Sequence, residues 1–257
     1  MLLALDAGNT NVTIGVFGDD RKLAARWRLR TIHDQTADEW GILILNLLSM
    51  SSIEVAKIDG IAISTVVPPI RTPLAEMAER YFHVQPLFIG EDTDSGLTIC
   101  YENPREVGAD RIVNSIAAFQ KYGGPCVIVD LGTAITFDAV SARAQYLGGL
   151  IFPGIGVSTE ALFAHTARLP KVDLRDPGKL IGTNTVGSIQ SGLFWGYISL
   201  IDGLMEKLVD ELGPDTRTVA TGGQARLIFE SSRRLQHLDE DLTLEGLNIA
   251  WERSRRS

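Results

Sequence analysis

The residues with the clearest chemical potential sit in two short turns. "LLALDAGNTNVTIGVF", Leu2 to Phe17, carries Asp6, Gly8, Asn9 and Thr10 between two apolar runs. "CVIVDLGTAITFDAV", Cys126 to Val140, repeats the device with Asp130, Gly132 and Thr133. A glycine turn between two strands can bring backbone N–H groups close to an anion, and a neighbouring threonine hydroxyl can add a donor. An aspartate in such a turn repels phosphate unless a cation lies between them. Asp6 therefore reads as a ligand, direct or through water, of a Mg²⁺ bound with ATP. One such turn is equally an Asx turn that shapes a hairpin; two at equivalent points favour phosphate. A third glycine site, Thr221-Gly222-Gly223 in "RTVATGGQA", runs from a strand toward a helix and can lie against a nucleotide's sugar or α-phosphate. Neither GxGxxG nor GxxxxGK[ST] occurs, which argues against a Rossmann dinucleotide site and a P-loop.

The elements that must hold these turns follow from apolar periodicity. Leu2–Leu5, Val12–Phe17 and Leu23–Leu29 read as strands, Asp38 to Met50 as a helix, "IDGIAISTVVPP" as a buried strand stopped by Pro68-Pro69, Arg71 to Tyr81 as a helix and "VQPLFIG" as a short strand. The pattern then restarts. A helix over Ala109 to Tyr122 precedes strands at Cys126–Val129, Ala134–Val140 and around Gln145–Phe152. Helices around Gly156–Ala167 and Val186–Leu212, a strand at Arg217–Ala220 and a closing helix from Leu244 complete it. The order is that of an α/β layered fold, once duplicated. The expected division is 1–115 and 116–257.

Composition excludes several function classes. The chain has 257 residues, 45% hydrophobic, with a net charge of −8. That is ample for a sizeable core and unfavourable for electrostatic binding of nucleic acid. Arg253, Arg255 and Arg256 read as a solvated tail. Cys100 and Cys126 lack CxxC spacing and fit free thiols in a reducing cytosol. No basic leader precedes the first strand, and no apolar run reaches the ~20 residues of a membrane span. The expectation is a cytoplasmic protein without membrane or nucleic-acid partners. His33, His83, His165 and His237 lack metal-ligand spacing.

With "YENPREVGADR" (Tyr101 to Arg111), "GGLIFPG" and "GTNTVGSIQSGLFWGY" added, the ordered motifs resemble type III pantothenate kinase, of the acetate/sugar kinase–actin superfamily. The resemblance implies duplicated actin/ribonuclease H-like domains, each a mixed central sheet flanked by helices. It implies ATP-dependent phosphorylation of pantothenate, the first step toward coenzyme A, in a homodimer needing Mg²⁺ and a monovalent cation, K⁺ or NH₄⁺. Carried onto this sequence, Asp6, Ala7, Gly8, Asn9, Thr10, Asn11, Val12 and Thr13 would hold ATP phosphates and Mg²⁺, with Thr133 on the second loop and Gly222 and Gly223 beside the nucleotide. Tyr101, Gly108, Ala109, Asp110, Arg111 and Thr185 would bind pantothenate. Asp110 would be the proton acceptor and Asp130 the ligand of the monovalent cation.

Local chemistry agrees with part of this. Asp110 opens a helix, where dipole and free N–H groups favour an ionised carboxylate; a capping aspartate beside a surface arginine is the plainer alternative. Arg111 suits a carboxylate fork. Tyr101 is either a pocket wall or a strand aromatic. The apolar stripe Ile189, Leu193, Tyr197, Leu200, Leu204, Leu208, Leu212, thickened by Phe194, Ile198, Ile201 and Met205, points to a dimer helix. The glycines at 187, 192, 196 and 203 then call for close packing. Burial of both faces within one subunit is the alternative. Two other activities are open on the same fold: a nucleotide switch driving a partner, and a phosphohydrolase or relative without turnover.

Overall fold

A computed structural model describes residues 1–90, 93–166 and 168–256. The chain divides into two units. The first comprises 1–97, 102–117 and 242–257; the second comprises 98–101 and 118–241.

The first unit is built on β1 (Leu2–Ala7), β2 (Asn11–Phe17), β3 (Leu23–Arg30), α1 (Ala37–Met50), β4 (Gly60–Thr65), α2 (Pro68–Met77) and β5 (Leu87–Phe88). Its sheet order is β3-β2-β1-β4-β5, with β1 antiparallel to β2 and parallel to β4. β1 is central, so every residue from Leu2 to Ala7 is buried except Asp6, which is half-buried. A capping box starts α1: Thr36 Oγ1 accepts from the Glu39 N–H at 3.3 Å and the Glu39 carboxylate accepts from the Thr36 N–H at 2.8 Å. That helix buries Trp40, Ile44 and Leu48 against Leu3, Leu5 and Ile14, each fully buried apolar side chain contributing about 1.5–3 kcal/mol.

The second unit holds β6 (Thr98–Ile99). After α3 (Ala109–Tyr122), which begins in the first unit, it continues with β7 (Cys126–Leu131), β8 (Ala134–Val140), β9 (Gln145–Pro153), α4 (Ile155–Ala164), α5 (Thr185–Leu212), β10 (Arg217–Thr221), α6 (Ala225–Phe229) and β11 (His237–Leu238). Its sheet order is β11-β10-β7-β8-β9-β6. The closing α7 (Leu242–Ser254) belongs to the first unit. There a Cβ on Gly246 would lie 2.0 Å from the Val113 carbonyl oxygen, and one on Gly60 would lie 2.3 Å from the Trp251 indole. Two glycines thus let this helix approach α3 and β4.

The duplication is explicit in the ladders. β7 is antiparallel to β8 and parallel to β10, as β1 is to β2 and β4. The bulges also correspond: register shifts at Val16/Phe17 between β2 and β3, and at Ala139/Val140 between β8 and β9. The expected fold, two mixed sheets flanked by helices, is the one observed.

The departures are local. The prolines expected only to stop β4 also begin α2, because proline is tolerated in a helix's first turn. The helix expected to run to Tyr81 widens into an i→i+5 turn over Ala78–Phe82 and ends at His83, whose φ of 59° is left-handed. β6 and β11 are two-residue strands that only a neighbouring strand defines. Ala167, the expected end of the helix after Gly156, lies outside the described residues.

Candidate active site

The first glycine turn faces outward by construction. Asp6 lies opposite Thr13 on β2 and Ser64 on β4. The Gly8 N–H closes the turn on the Asn11 carbonyl at 3.0 Å. Just beyond β3, Thr31 holds the loop from behind: its N–H donates to the Thr10 carbonyl at 3.0 Å and its hydroxyl to the Gly8 carbonyl at 2.6 Å. Asn9 and Thr10 are exposed. A Cβ on Gly8 would meet only the Asn11 carbonyl, at 3.4 Å, an ordinary contact. Among the described residues no contact demands glycine there, and the bare backbone leaves room beside the turn.

The second turn repeats the plan. Asp130 lies opposite Thr136 on β8 and Thr221 on β10, and the Gly132 N–H donates to the Ala134 carbonyl at 3.1 Å. Gly154, just beyond β9, plays the part of Thr31 and donates to the Thr133 carbonyl at 3.1 Å. Its own Cβ would fall 2.2 Å from that oxygen. Gly222, at φ +95°, lays bare backbone on Asp130: a Cβ there would sit 2.4 Å from Oδ1 and 2.7 Å from the Leu131 nitrogen. Thus Asp130, Thr133, Thr221 and Gly222 form one group. Gly223 lines an adjoining cavity of about 410 Å³ with Gln224, Leu174, Leu227, Arg226 and Glu230.

Asp110 stands in the first turn of α3. Its Oδ1 accepts the Arg111 N–H at 2.8 Å and lies 2.5 Å from where a Gly108 Cβ would be, so Gly108 gives the carboxylate its seat. Burial pushes the Asp110 carboxyl above its ordinary 3.8, opposed by the Arg111 N–H and guanidinium. The helix start had suggested the reverse direction. Desolvation outweighs it, and an acceptor with a raised pKa is the better base. Arg111 is buried, with 6% of its surface exposed.

Gly108 and Ala109 line a cavity of about 670 Å³ with Thr65, Val66, Arg71 and Phe88. Arg71 lies 4.0 Å over the Phe88 ring. Val66 joins the two motifs of this unit: its N–H donates to the Ala7 carbonyl at 3.3 Å, and its Cγ1 is 3.6 Å from the Gly108 Cβ position. Sequence reasoning passed over Thr65, Val66, Arg71 and Phe88. The available signal was that ligands gather beyond the carboxyl ends of parallel strands, here β4 and β5.

Tyr101 sits beside β9, its ring 6.3 Å from that of Tyr146. Thr185 is the exposed first residue of α5, whose cap is Asn184, accepting from the Gly187 N–H at 2.8 Å. α5 buries Phe194, Tyr197, Ile198, Ile201 and Met205, while Leu193, Leu200, Leu204, Leu208 and Leu212 are half-buried. Among the described residues a Cβ on Gly192, Gly196 or Gly203 would meet nothing within 4 Å, so none of them uses the close approach these glycines permit.

Among the described residues no group of three or more His, Cys, Asp or Glu could hold a metal ion.

Similarity agrees with these features. The chain is 60% identical to the type III pantothenate kinase of Solibacter usitatus over 99% of its length and 97% of the relative's. It is 53% identical to that of Koribacter versatilis, covering 99% and 96%. In structure it resembles the activator of 2-hydroxyisocaproyl-CoA dehydratase from Clostridium difficile with bound ADPNP (TM-score 0.56, 11% identity, 100% and 97% covered). It also resembles a candidate 2-dehydro-3-deoxygalactonokinase from Sinorhizobium meliloti (TM-score 0.58, 16% identity, 98% and 96% covered). At those identities the likeness speaks for the fold alone. Residues 2–207 match the family model of type III pantothenate kinase, and the chain belongs to that family.

Proposed function

We propose that this protein transfers the γ-phosphoryl group of ATP to the hydroxyl of pantothenate, giving 4′-phosphopantothenate, with Asp110 as proton acceptor. The observation that carries the reading is the Asp110 carboxylate, raised in pKa by burial and seated by Gly108 and the Arg111 N–H, directly after Gly108 and Ala109, which line a cavity of about 670 Å³. Phosphoryl transfer asks the protein mainly for positioning and charge neutralisation. Asp110 orients the hydroxyl and takes its proton. Arg111, buried and cationic, pairs with the pantothenate carboxylate, Ala109 lines the cavity, and Tyr101 is a further candidate contact for the substrate.

Asp6 and the loop from Ala7 through Asn11 and Val12 to Thr13 face the phosphates, with Thr133 as a further donor and Gly222 and Gly223 beside the sugar. Mg²⁺ would neutralise phosphate charge at Asp6. A monovalent cation, K⁺ or NH₄⁺, fits Asp130, where one carboxylate lies among backbone groups. The open glycines of α5 fit a second copy of this chain, which would place Thr185 at the interface. The free cysteines fit a reducing cytoplasm, and no helix among the described residues is long and apolar enough to cross a membrane.

The experiment is ADP release against a panel of small hydroxy acids, with and without potassium. Release that requires pantothenate and rises with potassium is expected. Equal release without an acceptor would favour a nucleotide switch.

A further inference from the structure

Tyr101 follows a strand of only two residues, and so short an edge supplies little stiffness of its own. β9 supplies it, chiefly through Tyr146. Ile99 pairs with Tyr146, and the Cys100 N–H donates to the Tyr146 carbonyl at 2.8 Å. The Tyr146 ring is fully buried and lies 6.3 Å from the Tyr101 ring at an interplanar angle of 50°, inside the range of favourable aromatic pairs. Its hydroxyl donates to Asp138 Oδ1 at 2.8 Å, and Asp138 is also fully buried. The Thr136 hydroxyl donates to Oδ2 of the same carboxylate at 3.3 Å. From the other side Gly148, at φ +116°, presents bare backbone to Tyr101; a Cβ there would lie 3.2 Å from Cε2.

Burying a carboxylate is costly, and a phenylalanine would fill the same space without one. We infer that Asp138 and Tyr146 are positioning residues for the acceptor subsite. The hydroxyl–carboxylate bond holds the Tyr146 ring in place, and that ring together with Gly148 sets the attitude of Tyr101. The inference rests on the reading that Tyr101 lines the pantothenate pocket.

The test is steady-state kinetics on four variants of the full-length enzyme, each with a thermal melt. Tyr146→Phe keeps the ring and removes the hydroxyl. It should raise the pantothenate KM about tenfold, roughly the loss of one hydrogen bond to a charged group, with kcat and the ATP KM little changed. Asp138→Asn should keep the pantothenate KM near wild type, because its amide still accepts from Tyr146 and donates to Thr136. Gly148→Ala crowds Tyr101 without touching the buried pair and should also raise the pantothenate KM, so the inference stays testable if Tyr146→Phe folds poorly. Tyr101→Ala checks the underlying reading. A raised pantothenate KM in Tyr101→Ala with unchanged values in Tyr146→Phe and Gly148→Ala overturns the positioning role alone. An unchanged KM in Tyr101→Ala overturns both. A fall in kcat that tracks lost folded protein, with both KM values unmoved, assigns the pair to stability and overturns the inference.

Discussion

Gly108→Ala offers the sharpest test of how Asp110 is held. The new Cβ would stand 2.5 Å from Asp110 Oδ1. An ordinary contact needs roughly 3.4 Å or more, so the oxygen must retreat by about 1 Å. The atom that must move is the end of a side chain, and the next neighbour, Val66 Cγ1, is at a comfortable 3.6 Å. The fold therefore absorbs the change. Losing the 2.8 Å bond from the Arg111 N–H costs about 1.5–3 kcal/mol at most. Restricting the unfolded chain returns about 0.4–1 kcal/mol. The melting temperature should consequently fall by no more than a few degrees. Catalysis has no such tolerance: a catalytic group misplaced by about 1 Å costs about a hundredfold. The assay is ADP release at saturating ATP and pantothenate, beside calorimetry. A double-mutant cycle sharpens it, because Gly108→Ala should cost almost nothing further in an Asp110→Asn background. A kcat within about threefold of wild type, or the same hundredfold loss in that background, refutes the reasoning.

Asp110→Asn should lower kcat by about two to four decades. It should also stabilise the protein at neutral pH, since the raised pKa means the folded state disfavours the charged form. That gain should fade as pH falls through the raised pKa and vanish below 3.8, where the wild-type carboxyl is protonated in both states; melts across acid pH would show it, and a constant or reversed difference would refute it. Gly222→Ala places a Cβ 2.4 Å from Asp130 Oδ1 at φ +95°, a left-handed position costing about 1–2 kcal/mol. A lower melting temperature and a flattened potassium response are expected; full potassium activation would contradict the assignment of Asp130. A Cβ at Gly196 would meet nothing within 4 Å among the described residues, so Gly196→Trp should leave the subunit folded, and ultracentrifugation should find a less active monomer. A monomer of full activity would remove the role proposed for this interface.

What the sequence determined by itself was local chemistry and its repetition. Asp6-x-Gly and Asp130-x-Gly are legible because a turn between two apolar runs is a short-range event, and their duplication shows in order and spacing alone. The start of α3 at Ala109 and the length of α5 follow from helical period in the same way. The strand pairs β6–β9 and β10–β11 were not legible, since two residues carry no period and only a neighbour's ladder defines them. Nor was the junction at Val66, which joins residues about 40 and 60 positions apart in sequence through contacts rather than pattern. The sign of the Asp110 shift depended on tertiary structure for the same reason. A helix terminus is visible in sequence, whereas desolvation is the sum of everything packed around the carboxylate. The glycines divide likewise: Gly222 is required because Asp130 lies against it, Gly8 is required by no contact among the described residues, and composition cannot distinguish them because the difference lies in what stands where a side chain would be.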